Sequence, residues 1–382
     1  MKRPPILQPI RLLLLLCVLG AILSGCLNPR PTATPTLPPR QASAATAAPA
    51  TLRPTLAAPG TWPTQGWRTS SPAEQGMDAA KLNEMLEAVK TQNLNLHSLL
   101  VIRNGAIVSE NYYGSNDPNT RHELYSCTKS FIATLMGMAI DKGYVSGVGQ
   151  TAADLLDGRT CQNPSAAKSA MTLENLLTMT TGLDWTEGDL AYLAMYGSRD
   201  WVRYVMDMPM RGQPGDKFNY CSGCSHVLSA IVQAKTRMNT RDFAEQELFR
   251  PLGITDVRWD GDAQGIPIGG WGLQITPRDM AKLGYLYLHD GVWDGRQIIS
   301  AAWVKAATEK HTPTDGPLGY GYQWWIYPKW GAYAALGRFG QTIFVIPDLD
   351  LIVVTTAAAG GHDAIFRLIE QYIVPAVQRP SS

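Results

Sequence analysis

Charge is scarce in this 382-residue chain, and neither sign prevails. Charged residues make up 17% of it, with 33 Lys and Arg against 32 Asp and Glu, a net charge of +1. So balanced a chain carries no electrostatic footprint for nucleic acid or for an anionic membrane surface. No apolar run approaches the ~20 residues that a membrane-crossing helix needs. No Gly-x-Ser-x-Gly occurs, so the nucleophile elbow of the α/β-hydrolases is missing. The 45% of apolar residues, by contrast, suits a globular domain with a sizeable core.

The first residues are not expected to belong to the fold. Lys2, Arg3 and Arg11 precede an apolar run from Leu12 to Leu23. At about 1.5 Å per residue the run is too short to span a hydrocarbon core of about 30 Å, and it reads as the apolar region of a signal peptide covering 1–25. It ends in Leu23-Ser24-Gly25-Cys26, which resembles the lipobox of bacterial lipoproteins. That resemblance implies acylation at Cys26 and a location outside the cytoplasm, with the membrane reached through the lipid only. Residues 26–66 are rich in Pro, Thr and Ala and read as an extended stalk with little to bury. In an oxidising compartment Cys127, Cys161, Cys221 and Cys224 could form one or two disulfides, and the spacing leaves the pairing open.

The folded part is expected to open near Gly66 and to run over 67–380. Met77 to Thr91 has helical spacing. His97–Arg103 and Ala106–Tyr113 read as two strands about the hairpin signal Asn104-Gly105. Ser126 to Lys142 is apolar nearly all round, which predicts a buried helix. From 145 to 270 strand signals are scarce, and helices are expected at Ala152–Leu156, Thr172–Met179, Tyr192–Met206, His226–Lys235 and Asp242–Phe249. Mixed text then returns: helices at Pro277–Asp290 and Ser300–Thr308, strands at Thr342–Ile346 and Leu351–Thr356, and a closing helix at Ala364–Gln378. The fold class expected is α/β: an antiparallel sheet flanked by helices, in parts about 67–144 and 271–380, with an inserted all-helical region about 145–270.

The chemistry centres on Ser126-Cys127-Thr128-Lys129. On a helix, residues i and i+3 share a face, so hydroxyl and amine can meet. The positive field of a helix start and burial both disfavour an ammonium, so the Lys129 amine should become neutral and take the Ser126 proton. The same spacing recurs at Ser165-Ala166-Ala167-Lys168, in a polar stretch that reads as solvated surface. Tyr220 could act as a base if a lysine stabilised its phenolate. Gly337-Arg338-Phe339-Gly340-Gln341 precedes a strand, where glycine lets a substrate approach the backbone. The N–H of Arg338 could then complete an oxyanion hole with the N–H of Ser126. The aromatics Trp324, Trp325, Tyr327, Trp330 and Tyr333 are candidates either for core or for the wall of an acyl pocket. Cys127, beside the nucleophile, is turned about 100° away and is assigned to packing or a disulfide.

The order Ser-x-x-Lys, then Tyr-x-Ser, then a glycine-bearing strand resembles the class C β-lactamase-like serine hydrolases of the β-lactamase and penicillin-binding superfamily. The esterase and 6-aminohexanoate-dimer hydrolase members are the most similar. Thr172–Leu183, Pro251-Leu252-Gly253-Ile254, Thr276–Met280 and Gly319–Trp325 extend the resemblance over about 67–378. It implies an acyl-enzyme on Ser126, proton shuttling by Lys129 and Tyr220, substrate binding at Ser222 and Gly337, and neither metal nor organic cofactor. Two departures stand out: Ala335 occupies the place of a lysine that usually holds a substrate carboxylate, and Ser222 replaces Asn. Both point away from an efficient β-lactamase and towards a small-molecule ester or non-peptide amide.

Three rivals remain at this level. A Ser–His–Asp hydrolase would need His122, four residues before Ser126, which reads as a loop or capping histidine. A metal site would need Cys221-x-x-Cys224-x-His226, which lacks a second half; a disulfide or buried thiols fit a secreted chain better. A catalytically weak penicillin-binding-like sensor or peptidoglycan-binding lipoprotein would use the fold without turnover.

Overall fold

The computed structural model describes residues 62–378 except 158, 160 and 359. The expected signal peptide, Cys26 and the stalk up to residue 61 lie outside the described residues. Trp62 already packs against Tyr285, His289 and Trp293, with ring centroids 5.3 to 5.6 Å apart. Thr64 Oγ1 accepts from Trp293 Nε1 at 2.7 Å. Residues 62–66 therefore belong to the fold rather than to a stalk ending at 66, because Trp62 supplies the apolar surface that the upstream Pro, Thr and Ala lack.

The chain opens with β1 (Arg68–Thr69), α1 (Ala79–Thr91), β2 (Leu96–Arg103) and β3 (Ala106–Tyr112). Asp78 caps α1 by accepting from the N–H groups of Ala80 and Lys81. Asn104 and Gly105 both have positive φ, 48° and 70°, as the two-residue hairpin turn requires. After β4 (His122–Glu123), the expected helix at Ser126 is realised in two pieces. Tyr125–Cys127 is a tight 3₁₀ turn, and it runs into α2 (Thr128–Asp141), buried from Thr128 through Ala139.

A helical stretch follows: α3 (Ala152–Leu155), α4 (Ala166–Ala170), α5 (Leu173–Leu177), α6 (Asp189–Tyr196), α7 (Trp201–Met206), α8 (Ser222–Thr236) and α9 (Thr240–Ala244). The single helix expected at Tyr192–Met206 is two helices. The chain leaves α6 at Gly197, and Asp200 caps a new start by accepting from Arg203 N. Helix α8 begins at Ser222 rather than at His226, because Cys221 sits at its N-cap.

Then come β5 (Arg258–Trp259), β6 (Leu273–Ile275), α10 (Pro277–Leu288), β7 (Val292–Trp293), β8 (Arg296–Gln297) and α11 (Ala301–Thr308). The chain closes with β9 (Thr312–Pro313), β10 (Gly319–Tyr320), β11 (Trp325–Tyr327), β12 (Ala332–Gly337), β13 (Gln341–Ile346), β14 (Leu351–Ala357) and α12 (His362–Leu368). Strands β9 to β11 span only two or three residues each, and β12 lacks the run of β-branched residues that marks β13 and β14.

The main sheet has the order β1-β3-β2-β14-β13-β12-β11-β10-β9, antiparallel except for β1 beside β3. Side chains alternate across it. Ile343, Val345, Ile352 and Val354 join the core shared with α2, α8 and α10. Phe344, Ile346, Leu351 and Val353 join the core under α1 and α12. Helices thus cover both faces of a mostly antiparallel sheet, and the seam between the end of β12 and the start of α2 is where the candidate site lies.

Candidate active site

Ser126 sits in the middle of a strained turn. Tyr125, just before it, has φ 46°, a left-handed conformation that costs a non-glycine residue about 1–3 kcal/mol and clusters at functional sites. Glu123 holds the turn: its Oε1 accepts from Tyr125 N at 3.1 Å and from Gly272 N at 2.7 Å. One carboxylate oxygen thereby ties the Ser126 turn to the Gly269-Gly270-Trp271-Gly272 loop. Burial raises the Glu123 carboxyl above its ordinary value.

Lys129 lies one helical step on, 1% exposed. Its Nζ is 2.9 Å from Ser126 Oγ, 2.9 Å from Ser222 Oγ and 2.8 Å from Gly270 O. The first contact follows from i,i+3 spacing, and the other two are tertiary. A Cβ on Gly269 would lie 2.0 Å from Ser225 O, and one on Gly270 2.8 Å from Ser222 O. Only glycines let this loop rest on the first turn of α8 and aim a carbonyl at Lys129. Burial brings the amine down from 10.5 to about 8, although Glu187 pulls the other way.

Tyr220 completes the group. Its ring lies 4.9 Å from Lys129 Nζ and stacks on Trp325, with centroids 5.7 Å apart. Burial raises its phenol well above the usual value, with neighbouring Tyr320 adding to the effect and a hydrogen bond to Ser126 opposing it. The phenolate foreseen from sequence is therefore disfavoured. Lys129 is the group whose neutral form burial favours, and Tyr220 keeps its proton.

Gly337 ends β12 hard against this turn. A Cβ there would lie 2.2 Å from Leu124 O and 3.3 Å from Cys127 N. A pocket of about 720 Å³ opens over Ser126, with Tyr125, Tyr220, Gly337 and Arg338 in its wall. Of the five aromatics singled out, only Trp325 lines it. Trp324 and Tyr333 are buried in the core, Tyr327 donates to Glu370 at 2.8 Å, and Trp330 stacks on Tyr327. The rest of the aromatic wall is Tyr192 and Tyr196 from α6, Trp271 from the glycine loop and Phe366 from α12, and the carboxylate of Glu187 joins it. The spacing of Tyr192 and Tyr196 at i,i+4 was a visible signal for a shared face. Glu187 had none, since its contacts reach 35 residues along the chain to Ser222.

Several expectations change. Ser222 is buried, does not line the pocket, and spends its hydroxyl on Lys129 and Glu187 instead of a substrate. Lys168 is 3% exposed rather than solvated; its Nζ donates to Met206 O at 2.8 Å and to Asn163 Oδ1. Ser165 caps α4 by accepting from Lys168 N at 3.2 Å, so this second Ser-x-x-Lys is a helix cap with a buried tether. His122 is in β4, buried, with its Nδ1 3.3 Å from that of His97 rather than in a loop or cap. Cys221 and Cys224 are joined in a disulfide, so neither offers a thiolate to a metal, and His226 pairs with Asp262 at 3.0 Å. Cys127 is a free buried thiol donating to Gln341 O at 3.4 Å, which settles the packing alternative.

The family model described as Beta-lactamase matches residues 83–374, most of the chain. The chain belongs to the beta-lactamase family. This family member is a serine hydrolase, built on a central sheet with helices on both faces. It is similar to a 6-aminohexanoate-dimer hydrolase of Paenarthrobacter ureafaciens, 26% identical over 285 residues, or 67% of this chain and 71% of that one. Among solved structures, "EstCE1, a hydrolase with promiscuous acyltransferase activity" has a TM-score of 0.64 at 17% identity, covering 78% of this chain and 99% of its own. An octameric penicillin-binding protein homologue from Pyrococcus abyssi has a TM-score of 0.62 at 18% identity, covering 78% of each chain. At such identities the two structures speak for the fold of this hydrolase alone.

Proposed function

We propose that this serine hydrolase cleaves an ester or a non-peptide amide through an acyl-enzyme on Ser126. The observation that carries the reading is the buried Lys129 amine, lowered to about 8 and 2.9 Å from Ser126 Oγ. Ser126 Oγ attacks the carbonyl carbon as its proton passes to Lys129 Nζ. The N–H groups of Ser126 and Arg338 hold the oxyanion. When the tetrahedral species collapses, the leaving alkoxide or amine takes a proton through Tyr220, which is replenished from Lys129. Water then repeats the sequence on the acyl carbon and frees Ser126.

The substrate class rests on two features. Ala335 is buried in β12, so this strand offers no lysine to a β-lactam or peptide carboxylate. The pocket wall is largely aromatic, suited to an apolar acyl group. The likeness to a 6-aminohexanoate-dimer hydrolase supports a non-peptide amide. Cephalosporin turnover exceeding that of simple esters and amides would refute this class.

Intact-protein mass spectrometry of the purified full chain treated with a fluorophosphonate tests the nucleophile. One adduct on Ser126, absent in Ser126→Ala, is expected. No adduct on folded protein would favour the weakly catalytic sensor reading instead. The labelling rate should rise tenfold per pH unit below about 8 and level above it, because only the neutral amine accepts the proton. A rate flat from pH 6 to 9 would exclude Lys129 as the base.

We also propose export and acylation at Cys26, supported by Leu23-Ser24-Gly25-Cys26 after the apolar run. Incorporation of labelled palmitate, lost in Cys26→Ala, is the expected result; equal labelling of both forms would refute it.

A further inference from the structure

Ser222 stands between a carboxylate and an amine, and its hydroxyl has one proton to give. Its Oγ lies 2.5 Å from Glu187 Oε1 and 2.9 Å from Lys129 Nζ. Glu187 is surrounded by donors. Its Oε2 accepts from Trp185 Nε1 at 2.6 Å and from Ser222 N at 3.0 Å, groups that can only donate. Its Oε1 accepts from the hydroxyls of Tyr192 and Ser222. A carboxylate has no hydrogen to offer, and 2.5 Å is the length of a charge-assisted O–H···O⁻ bond. The Ser222 proton therefore points at Glu187, and its oxygen can only accept from Lys129.

The consequence falls on Lys129. A neutral amine has two N–H groups and one lone pair. Gly270 O, 2.8 Å away, is an acceptor and takes one N–H. Ser222 Oγ, its own proton committed, takes the other. The lone pair is left for the third neighbour, Ser126 Oγ at 2.9 Å, which must then be the donor. That is the arrangement a general base needs before it removes a proton.

We propose that Glu187 is a positioning residue for this proton transfer: through the Ser222 hydroxyl it sets the direction of the hydrogen bonds around Lys129, so that the amine lone pair faces Ser126. The proposal deepens the reading of Ser126 as nucleophile and rests on it. Glu187 touches neither Ser126 nor Lys129 in the hydrogen-bond network and acts through Ser222.

Glu187→Gln reverses the relay without changing its shape. The Gln oxygen is claimed by Trp185 Nε1 and Ser222 N, so the amide NH₂ faces Ser222 Oγ and donates to it. Ser222 then turns its proton towards Lys129 Nζ and occupies the lone pair. The charge effect has the opposite sign. The groups facing Lys129 are Glu187, the Cys127 thiol and the Tyr220 ring, and the Glu187 charge holds the amine pKa up. Its removal alone would leave more neutral amine below pH 8 and faster labelling.

The experiment is the rate of fluorophosphonate labelling of the full chain, in which Ser126 Oγ loses its proton to Lys129 as the O–P bond forms and fluoride leaves. Glu187→Gln is expected to label about 100-fold more slowly at pH 9, the low end of what a positioned base contributes, and still more slowly than the unaltered chain at pH 6, where the lost charge offsets part of the effect. Ser222→Ala, which removes the relay while keeping the carboxylate, should slow labelling by a similar factor and stands in if the Gln variant does not fold. In the Ser222→Ala background, Glu187→Gln should bring no further loss, and below pH 8 only the gain that follows from removing its charge. Labelling of Glu187→Gln as fast as the unaltered chain or faster, or an equal loss in both backgrounds, would overturn the relay. If the unaltered chain fails to label at all, the nucleophile reading falls and the relay with it; if it labels, only the relay is at stake.

Discussion

Replacing Lys129 with methionine is expected to slow acylation of Ser126 about 10³-fold, the range lost with a general base, while changing stability in a pH-dependent way. The amine is held at about 8 in the fold against 10.5 when exposed, chiefly by burial. Where pH lies between those values, the unfolded chain binds more protons than the folded one, so stability rises with pH across that window. Below pH 8 both states are protonated, and the folded state carries the whole penalty, about 3 kcal/mol. Methionine has no such penalty, though it leaves Gly270 O without its partner, which costs about 1–3 kcal/mol. The stability of Lys129→Met relative to the unaltered protein should thus be greatest at pH 7 and fall by about 3 kcal/mol towards pH 10.5. Urea unfolding at several pH values measures it. A difference independent of pH would mean that Lys129 is not titrating as a desolvated amine.

Gly337→Ala is expected to cost both activity and stability, for a reason that has nothing to do with glycine's conformational freedom. Gly337 has an ordinary extended φ of −121°. What it lacks is room: the added methyl would lie 2.2 Å from Leu124 O, 3.0 Å from Gln341 Cβ and 3.3 Å from Cys127 N. Two of those neighbours are backbone atoms of the turn that carries Ser126, so either β12 or the turn must shift. Overpacking of this kind costs about 1–3 kcal/mol. On the proposed mechanism, a displacement near 1 Å between Ser126 Oγ and the Arg338 N–H would cost about 100-fold in acylation. Melting temperature and labelling rate, measured together, check this. An alanine variant that labels at the original rate would show that β12 does not help to hold the oxyanion.

These two sites differ in how they could be read. The pair Ser126 and Lys129 was legible because i,i+3 spacing is a property of the helix and needs no partner. Its twin, Ser165 and Lys168, has the same spacing. What separates them is that Ser165 caps its own helix, while Ser126 lies beneath the pocket with its hydroxyl on Lys129. The hairpin at Asn104-Gly105 and the buried helix after Ser126 were equally local: one rests on backbone conformation, the other on apolar residues all round. Strands β9 to β11 were poorly marked because alternation cannot be seen in two or three residues, and β12 because Ala332, Ala334, Ala335 and Gly337 carry little strand preference. Helix α8 was placed late because the signal at its start is Cys221, whose sulfur does the capping.

Ser-x-x-Lys, Tyr-x-Ser and the glycine before β13 are thus written in the order of residues, since each depends on neighbours within a turn or a strand, and together they name the chemistry. Which hydroxyl faces which amine is not written there. The closure of Gly270 on Ser222, the carboxylate of Glu187 behind it, the aromatic wall from α6 and the burial of Lys168 all join segments far apart in the chain. Those contacts exist only once the sheet and the helical stretch have packed, because close approach and exclusion of water are properties of the assembled core rather than of any local pattern.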